Sequence, residues 1–428
     1  MKKFLSAATI LGVSLVLGAC NTKEEAKENN KETVSGEITV VTNRVDADEL
    51  YEKIETAFKE KYPEVTDIKW EASGTDYDQY IATRMNTTDY GDVVFIPFSM
   101  AGTPDEYSKY FDSLGTVEAM EKDYIDVTEA DYDGTVYGLP TVLNSLGLIY
   151  NQEVFDEAGI KELPTSTDEL IAAAKQIKEK TGAIPFYTNY QRLAVWAGAL
   201  SSYGGEDFKS ATLEKGTAFE EGQPIREVMD LIYELSANGL IEPDPVTLEG
   251  QQAQQQLADG KIAMLMSGSQ DVAPIQALTE TKDTIKIMPF PVLLDGKTSL
   301  ALGAPSVIGI NKNTKNEATA KAFLEFFISP ESGFAEDMGG MTPVKAELNA
   351  EEKTLVEENN VILTAPAASA EVDTTYSAIA NEAGVARLTD ALQKVVNIGL
   401  YPDQNESYED YVNSLEAKWE TAAKNHEE

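Results

Sequence analysis

Cysteine and histidine are almost missing from this 428-residue chain, which holds one of each, Cys20 and His426. A lone cysteine closes no internal disulfide, so stability has to come from burial. The single histidine lies beside Glu427 and Glu428 at an acidic end. That position excludes a Ser-His-Asp triad, a Cys-His pair and a histidine metal site. Positive charge is also scarce: 34 Lys and Arg face 73 Asp and Glu, for a formal net charge of −39. Such a field repels nucleic acid and anionic lipid head groups. No GxxxxGK[ST] run is present to cradle a nucleotide phosphate, and neither cofactor nor metal is expected. Chemistry by carboxylates alone, as in glycosidases, stays open.

Long apolar runs are absent after the first twenty residues. Before that point, Lys2 and Lys3 precede an apolar stretch from Phe4 to Leu17, too short to span a bilayer comfortably. The stretch ends in Leu17-Gly18-Ala19-Cys20, which looks like a bacterial lipobox. A lipobox implies cleavage after residue 19, a palmitate-type acyl anchor on Cys20, and a protein held outside the cytoplasm on the cell membrane. Two acyl chains make a durable anchor at about 0.8 kcal/mol per buried CH₂. Residues 20–35 are polar and read as a flexible tether.

From Gly36 the texture is that of an α/β protein. Glu37 to Val41 is β-branched and strand-like. Leu50, Ile54, Ala57 and Phe58 follow at helical spacing until Pro63. Ile68 to Glu71 predicts a second strand and Tyr77 to Met85 a second helix. Asp92 to Ile96 has the near-continuous apolar character of a buried parallel strand. Asp133-Gly134 predicts a turn and Ser145 to Tyr150 a strand. Ser166 and Glu169 form a capping-box pattern, and Ala320, Phe323, Leu324, Phe327 and Ile328 mark one helix face that Pro330 ends. About 390 residues suffice for two domains.

Several short segments then carry a resemblance. Tyr137-Gly138-Leu139-Pro140, Gly147 to Asn151 and Phe155 to Ile160 come first. Gly260 to Met264, Ser267-Gly268-Ser269, Met288 to Pro291, Gly303-Ala304-Pro305, Ala320 to Ser329 and Met341 to Val344 follow in order. Together they resemble the family 1 extracellular solute-binding proteins of carbohydrate ABC importers (maltose-binding-protein-like). The resemblance implies a two-lobe periplasmic-binding-protein-like fold with discontinuous lobes and a hinge. One lobe would take residues 36–142 and 290–337, the other residues 143–289 and 338–425, with crossings near Leu143, Pro289 and Met338. It also implies a monomer that is not an enzyme, captures a neutral di- or oligosaccharide and delivers it to permease subunits, touching the membrane through its anchor only.

Ligands of open sheets sit beyond the carboxyl ends of strands, and the loops there supply the candidate site. Asn43 and Arg44 follow the first strand, and a planar amide or guanidinium can hold two neighbouring sugar oxygens. Asn43 also fits a capping turn, and Asp78 also fits the dipole of its helix. Phe98 and Ser99 follow the buried strand, with Phe98 either a stacking ring or core. By position in the family pattern, Asn144 is a polar ligand contact. In the other lobe Tyr190, Gln191 and Trp196 resemble a cleft-lining segment, aromatic planes suiting the C–H faces of pyranoses. Trp196 also fits an apolar helix pattern. Ser267, Gly268, Ser269 and Gln270 follow a strand, and Gly268 allows a close backbone approach. Many family members carry tryptophan near Gln270, and its absence argues against a maltose-type ligand. A polyamine, a peptide or a metal in the same fold, or a two-carboxylate surface glycosidase, are the alternatives.

Overall fold

Two β-sheets organise the chain. The computed structural model describes residues 33–45, 47–190, 192–246, 250–364 and 370–426. Cys20, with the signal segment and most of the tether, lies outside them, as does Gln191. In chain order, the strands of the two large sheets are β1 (Gly36–Thr42), β2 (Val65–Ala72), β3 (Val93–Phe95) and β4 (Gly138–Pro140). There follow β5 (Asn144–Asn151), β6 (Ile184–Tyr187), β7 (Ile262–Gly268), β8 (Ile285–Leu294), β9 (Lys297–Gly303), β10 (Val307–Ile310) and β11 (Asn360–Leu363).

The first sheet runs β2-β1-β3-β10-β4, with β1 parallel to both neighbours and β10 antiparallel to both of its own. Helices Asp48–Lys61 and Glu317–Ile328 pack on it. Phe58 meets Phe323 edge-on at 5.2 Å, and Tyr51 stacks on Trp70 at 4.0 Å. Tyr51 is buried where the helical spacing pointed to Ala57, which is only half-buried. Asp133 and Gly134 both take positive φ, 50° and 72°. They join the short antiparallel strands Asp131–Tyr132 and Thr135–Val136, the twist-matched hairpin turn that Asp-Gly favours.

The second sheet runs β11-β9-β8-β5-β7-β6, with β9 also paired to β5. Its core holds Trp196, Phe290 and Trp419, and helices Pro224–Ala237 and Leu388–Leu400 pack against each other there. The fold is thus α/β with two lobes, as the sequence implied. One boundary differs. The second crossing lies between Gly303 and Val307 rather than near Pro289, because β8 and β9 both stay in the second sheet. Phe290 is accordingly second-lobe core. The Ser166 hydroxyl caps helix Thr167–Lys180 by accepting from Glu169 N–H. The Glu169 carboxylate reaches Thr165 instead of closing the box. A complete capping box occurs at Asn349 and Glu352. Among the described residues no helix is long and apolar enough to cross a membrane.

The centre of the second sheet leaves no room at Gly147. A Cβ there would lie 2.1 Å from the Met288 carbonyl oxygen on the adjoining strand. Gly147→Ala should therefore part β5 from β8 and destabilise the protein by about 1–3 kcal/mol, the usual cost of overpacking. Urea unfolding would measure this, and a wild-type midpoint would show the strands can shift freely.

Candidate functional site

Parallel pairing puts the carboxyl ends of β1, β2 and β3 at one edge of the first sheet. Thr42 is buried there, with its hydroxyl 2.8 Å from that of Tyr51, and it accepts the Arg44 N–H at 3.2 Å. This turn carries the half-buried Asn43 and Arg44 out of the sheet, and the Arg44 guanidinium reaches the sulfur of Met338. Asp78 accepts the Ser99 N–H at 2.9 Å, so two of the candidate residues hold each other. Their contact fixes the turn Phe98–Gly102, from which Phe98 projects 65% exposed. The Tyr77 hydroxyl donates to the Phe95 carbonyl and anchors the same strand end; burial pushes that phenol well above its usual range.

Three crossing segments run between the sheets. Thr141 N–H donates to Ser306 O at 3.0 Å, and Leu143 and Met341 exchange two backbone hydrogen bonds of 2.9 Å. On the far side of the crossing, the Asn144 amide donates to Ser269 Oγ at 3.1 Å and to Met338 O at 3.2 Å. Ser145 N–H reaches the same Ser269 hydroxyl at 3.2 Å. Gly339 (φ +64°) and Gly340 complete the third crossing; a Cβ at Gly340 would lie 2.5 Å from Leu143 O.

Here the chain borders an open cavity of about 470 Å³. Its lining brings together four candidates, Asn144, Ser267, Gly268 and Gln270. Ser269 joins them through Asn144, and Arg44 through Met338, which also lines the cavity. Sequence reasoning missed Val195 and Gly198 in this lining and took Met338 and Gly303-Ala304-Pro305 for crossing and motif residues only. For Met338 and residues 303–305 the signal was present, since a crossing segment borders the cleft it spans; Val195 and Gly198, in the turn Arg192–Gly198, carried none. The described lining has no ionisable side chain. Among the described residues no group of three or more His, Cys, Asp or Glu is placed to hold a metal ion.

The loop after β6 is shaped by a buried acid. Glu242 accepts from Thr188 N at 2.9 Å, Thr188 Oγ1 at 3.0 Å and Asn189 N at 2.6 Å. Burial raises its carboxyl above the usual range, and the hydrogen bonds from Thr188 and Asn189 oppose that rise. Tyr190 follows, half-buried, with its hydroxyl donating to Asn397 at 2.7 Å. Trp196 departs from expectation. It is 1% exposed, edge-on to Phe290 at 5.7 Å and tilted against Phe186 at 5.6 Å, so it offers a ligand no face. Its apolar helical neighbours place it in the core, the other role its pattern allowed.

A second acidic feature sits beside the crossings. Ile125 packs with Leu143, Leu300, Leu302, Met341 and Leu348, and the next residue is the buried Asp126. Neither Asp126 oxygen, nor Oε1 of Glu129, has a hydrogen-bond partner among the described residues. Burial raises both carboxyls, and the neighbouring Asp126 raises Glu129 further. Glu206 of the second lobe also pushes Asp126 up.

Three comparisons bear on this arrangement. The model of the family described as bacterial extracellular solute-binding protein matches residues 42–333. A solved ABC-transporter binding protein of Bifidobacterium animalis subsp. lactis, in complex with mannobiose, is similar with 26% identity and a TM-score of 0.68. That match covers 92% of this chain and 95% of the other. A maltooligosaccharide ABC transporter solute-binding lipoprotein of Streptococcus pneumoniae is 25% identical over 347 residues, 77% of this chain and 78% of its own length. A diacetylchitobiose binding protein of Streptomyces coelicolor is 26% identical over 218 residues, 48% of this chain. The chain spans about half of that relative, 49%.

The acidic pair makes stability depend on pH. Both groups have folded pKa values raised above the unfolded ones, 3.8 for Asp126 and 4.5 for Glu129. Their contribution is therefore fully present below those values and is lost as pH rises toward the folded values. Relative to an Asp126→Asn/Glu129→Gln variant, the wild type should lose about 2 kcal/mol or more between roughly pH 5 and pH 8. Urea titrations at the two pH values measure this, and a constant difference between the proteins would refute it.

Proposed function

Because the chain belongs to the bacterial extracellular solute-binding proteins, we propose that it captures a neutral di- or oligosaccharide between its lobes and delivers it to the permease of an ABC importer. The observation that carries this reading is the cavity at the crossings. It is lined by an amide from Asn144, another from Gln270 and the Ser267 hydroxyl, with no ionisable group among its described residues. Amides and hydroxyls pair with sugar hydroxyls, whereas a polyamine calls for carboxylates in the lining. The exposed ring of Phe98, on the first lobe, adds an apolar face of the kind pyranose C–H groups prefer. Similarity to a mannobiose-bound protein over nearly the whole chain supports the same class of ligand.

Residue roles follow from position. Asn144, Ser267, Gly268 and Gln270 form the second-lobe floor, with Ser269 orienting Asn144. From the first lobe come Asn43, Arg44 and Phe98, with Asp78 and Ser99 fixing the Phe98 turn. Tyr190 contributes a ring face only, its hydroxyl being taken by Asn397. Closure is stabilised by the ligand, since groups of both lobes meet it only when the lobes approach. The protein acts as a monomer outside the cytoplasm, held to the cell membrane by acyl chains on Cys20.

A thermal-shift screen with mannobiose, maltotriose and diacetylchitobiose tests the reading. A ligand at about 100 times its Kd adds about 2.7 kcal/mol of stability. Phe98→Ala and Arg44→Ala should each weaken binding by about 1–3 kcal/mol in calorimetric titration. The exposed Phe98 should leave unfolding without ligand unchanged. Wild-type affinity in both variants would put the site elsewhere.

The anchor has its own test. Cys20→Ser should abolish acylation and leave the protein unprocessed or released to the medium. Undiminished, processed protein in the membrane fraction would exclude a lipid anchor at Cys20.

A further inference from the structure

Hydrogen bonding within the protein has already used most of the protons at the crossing cavity. The Asn144 Nδ2 donates to Ser269 Oγ at 3.1 Å and to Met338 O at 3.2 Å, which takes both of its hydrogens. Met338 O is a carbonyl and only accepts, so the NH₂ end of the amide must face it and the orientation is fixed. Ser269 is held in turn by the Ser145 N–H at 3.2 Å, which keeps its oxygen beside the Asn144 amide. What remains of Asn144 is Oδ1. It receives no hydrogen bond from the described residues, yet it is not sealed from solvent, and Asn144 is half-buried in the cavity lining.

Ser267, also in the lining, donates its hydroxyl proton to the Asp271 carboxylate, so that proton is spent as well. Gln270 is exposed, and its amide can present either end. The two polar side chains held in place by the protein therefore have no proton left for a ligand, and Asn144 offers it only lone pairs. A carboxylate, sulfate or phosphate on a sugar would set lone pairs against lone pairs there. A hydroxyl capped by a methyl or acyl group has nothing to donate. Either would strip water from Oδ1 without replacing its hydrogen bond, which is the costly half of the exchange.

We infer that Asn144 selects the ligand as an obligate acceptor: one free hydroxyl of the sugar donates to its Oδ1, and sugars that are anionic or capped at that hydroxyl are excluded. Ser269 is the positioning residue that, with Met338 O, keeps the amide from turning over. The inference deepens the sugar-binding reading and rests on it.

The test uses the mature protein, mannobiose, and its monodeoxy and monodeoxyfluoro analogues, with one hydroxyl replaced at a time. Fluorine cannot donate, so at the hydroxyl that meets Asn144 both analogues should bind about tenfold or more weakly than mannobiose in calorimetric titration. Asn144→Ala should bind mannobiose and those two analogues alike. Full affinity of the fluoro analogue, at a position where the deoxy analogue and Asn144→Ala both lose affinity, would reveal a donor and overturn the inference. So would a panel in which no position shows the loss, or an Asn144→Ala protein that binds mannobiose as the wild type does. Side-chain amide NMR reads the polarity without a sugar. The Asn144 NH₂, identified by its loss in Asn144→Ala, should exchange with solvent about tenfold more slowly than exposed asparagine side chains, and Ser269→Ala should accelerate it. Exchange at the exposed rate would mean the NH₂ is free, and would overturn the inference. If mannobiose does not bind, the sugar reading in this form fails, and the NMR measurement decides the polarity of Asn144 alone.

Discussion

Three strands of backbone cross between the sheets, and they can do so only by lying against one another. Thr141 pairs with Ser306 through backbone and hydroxyl, the two hydroxyls 2.6 Å apart, while Leu143 pairs with Met341. A backbone amide buried at such a junction must find a partner, and here the first crossing pairs with both of the others. The glycines at 339 and 340 exist for this contact, since a side chain at either would strike Gln270 or Leu143. The lobes therefore share a hydrogen-bonded waist, and Asn144 and Met338, which line the cavity, take their position from it.

The waist explains how so acidic a protein has a neutral cavity. With a net charge of −39, most carboxylates must be solvated, and the few that are buried serve as backbone acceptors. Glu242 holds Thr188 and Asn189, and Glu416 holds Ala218 and Phe219. Each shapes a loop from beneath, and the described lining of the cavity at the crossings is left to amides and hydroxyls. Asp126 and Glu129 are the exception, buried near the waist beside each other rather than beneath a backbone loop. Their raised affinity for protons comes first from burial; Asp126 raises Glu129 further, while the hydrogen bond from Glu129 opposes the rise at Asp126.

Local order was readable because it depends on neighbours in sequence. The β-branched run Glu37 to Val41, the apolar run at Val93 and the face Ala320, Phe323, Phe327 all form as their periods indicate. The Asp133-Gly134 turn follows from backbone sterics alone. Capping was half readable: Ser166 acts as expected, but Glu169 chose Thr165, an equally close donor.

What the sequence determined by itself was the α/β alternation, the short strands and their terminating turns, and the loops from which a site would be drawn. The tertiary structure alone decided which of those loops meet. The Tyr190 hydroxyl is taken by Asn397, 207 residues away, and Trp196 turns inward because Phe186 and Phe290 close over it. The second crossing falls after β9 because β8 pairs with both β5 and β9, a preference no local pattern records. Periodicity shows that a side chain prefers burial, but its partner is set by packing between segments far apart in the chain.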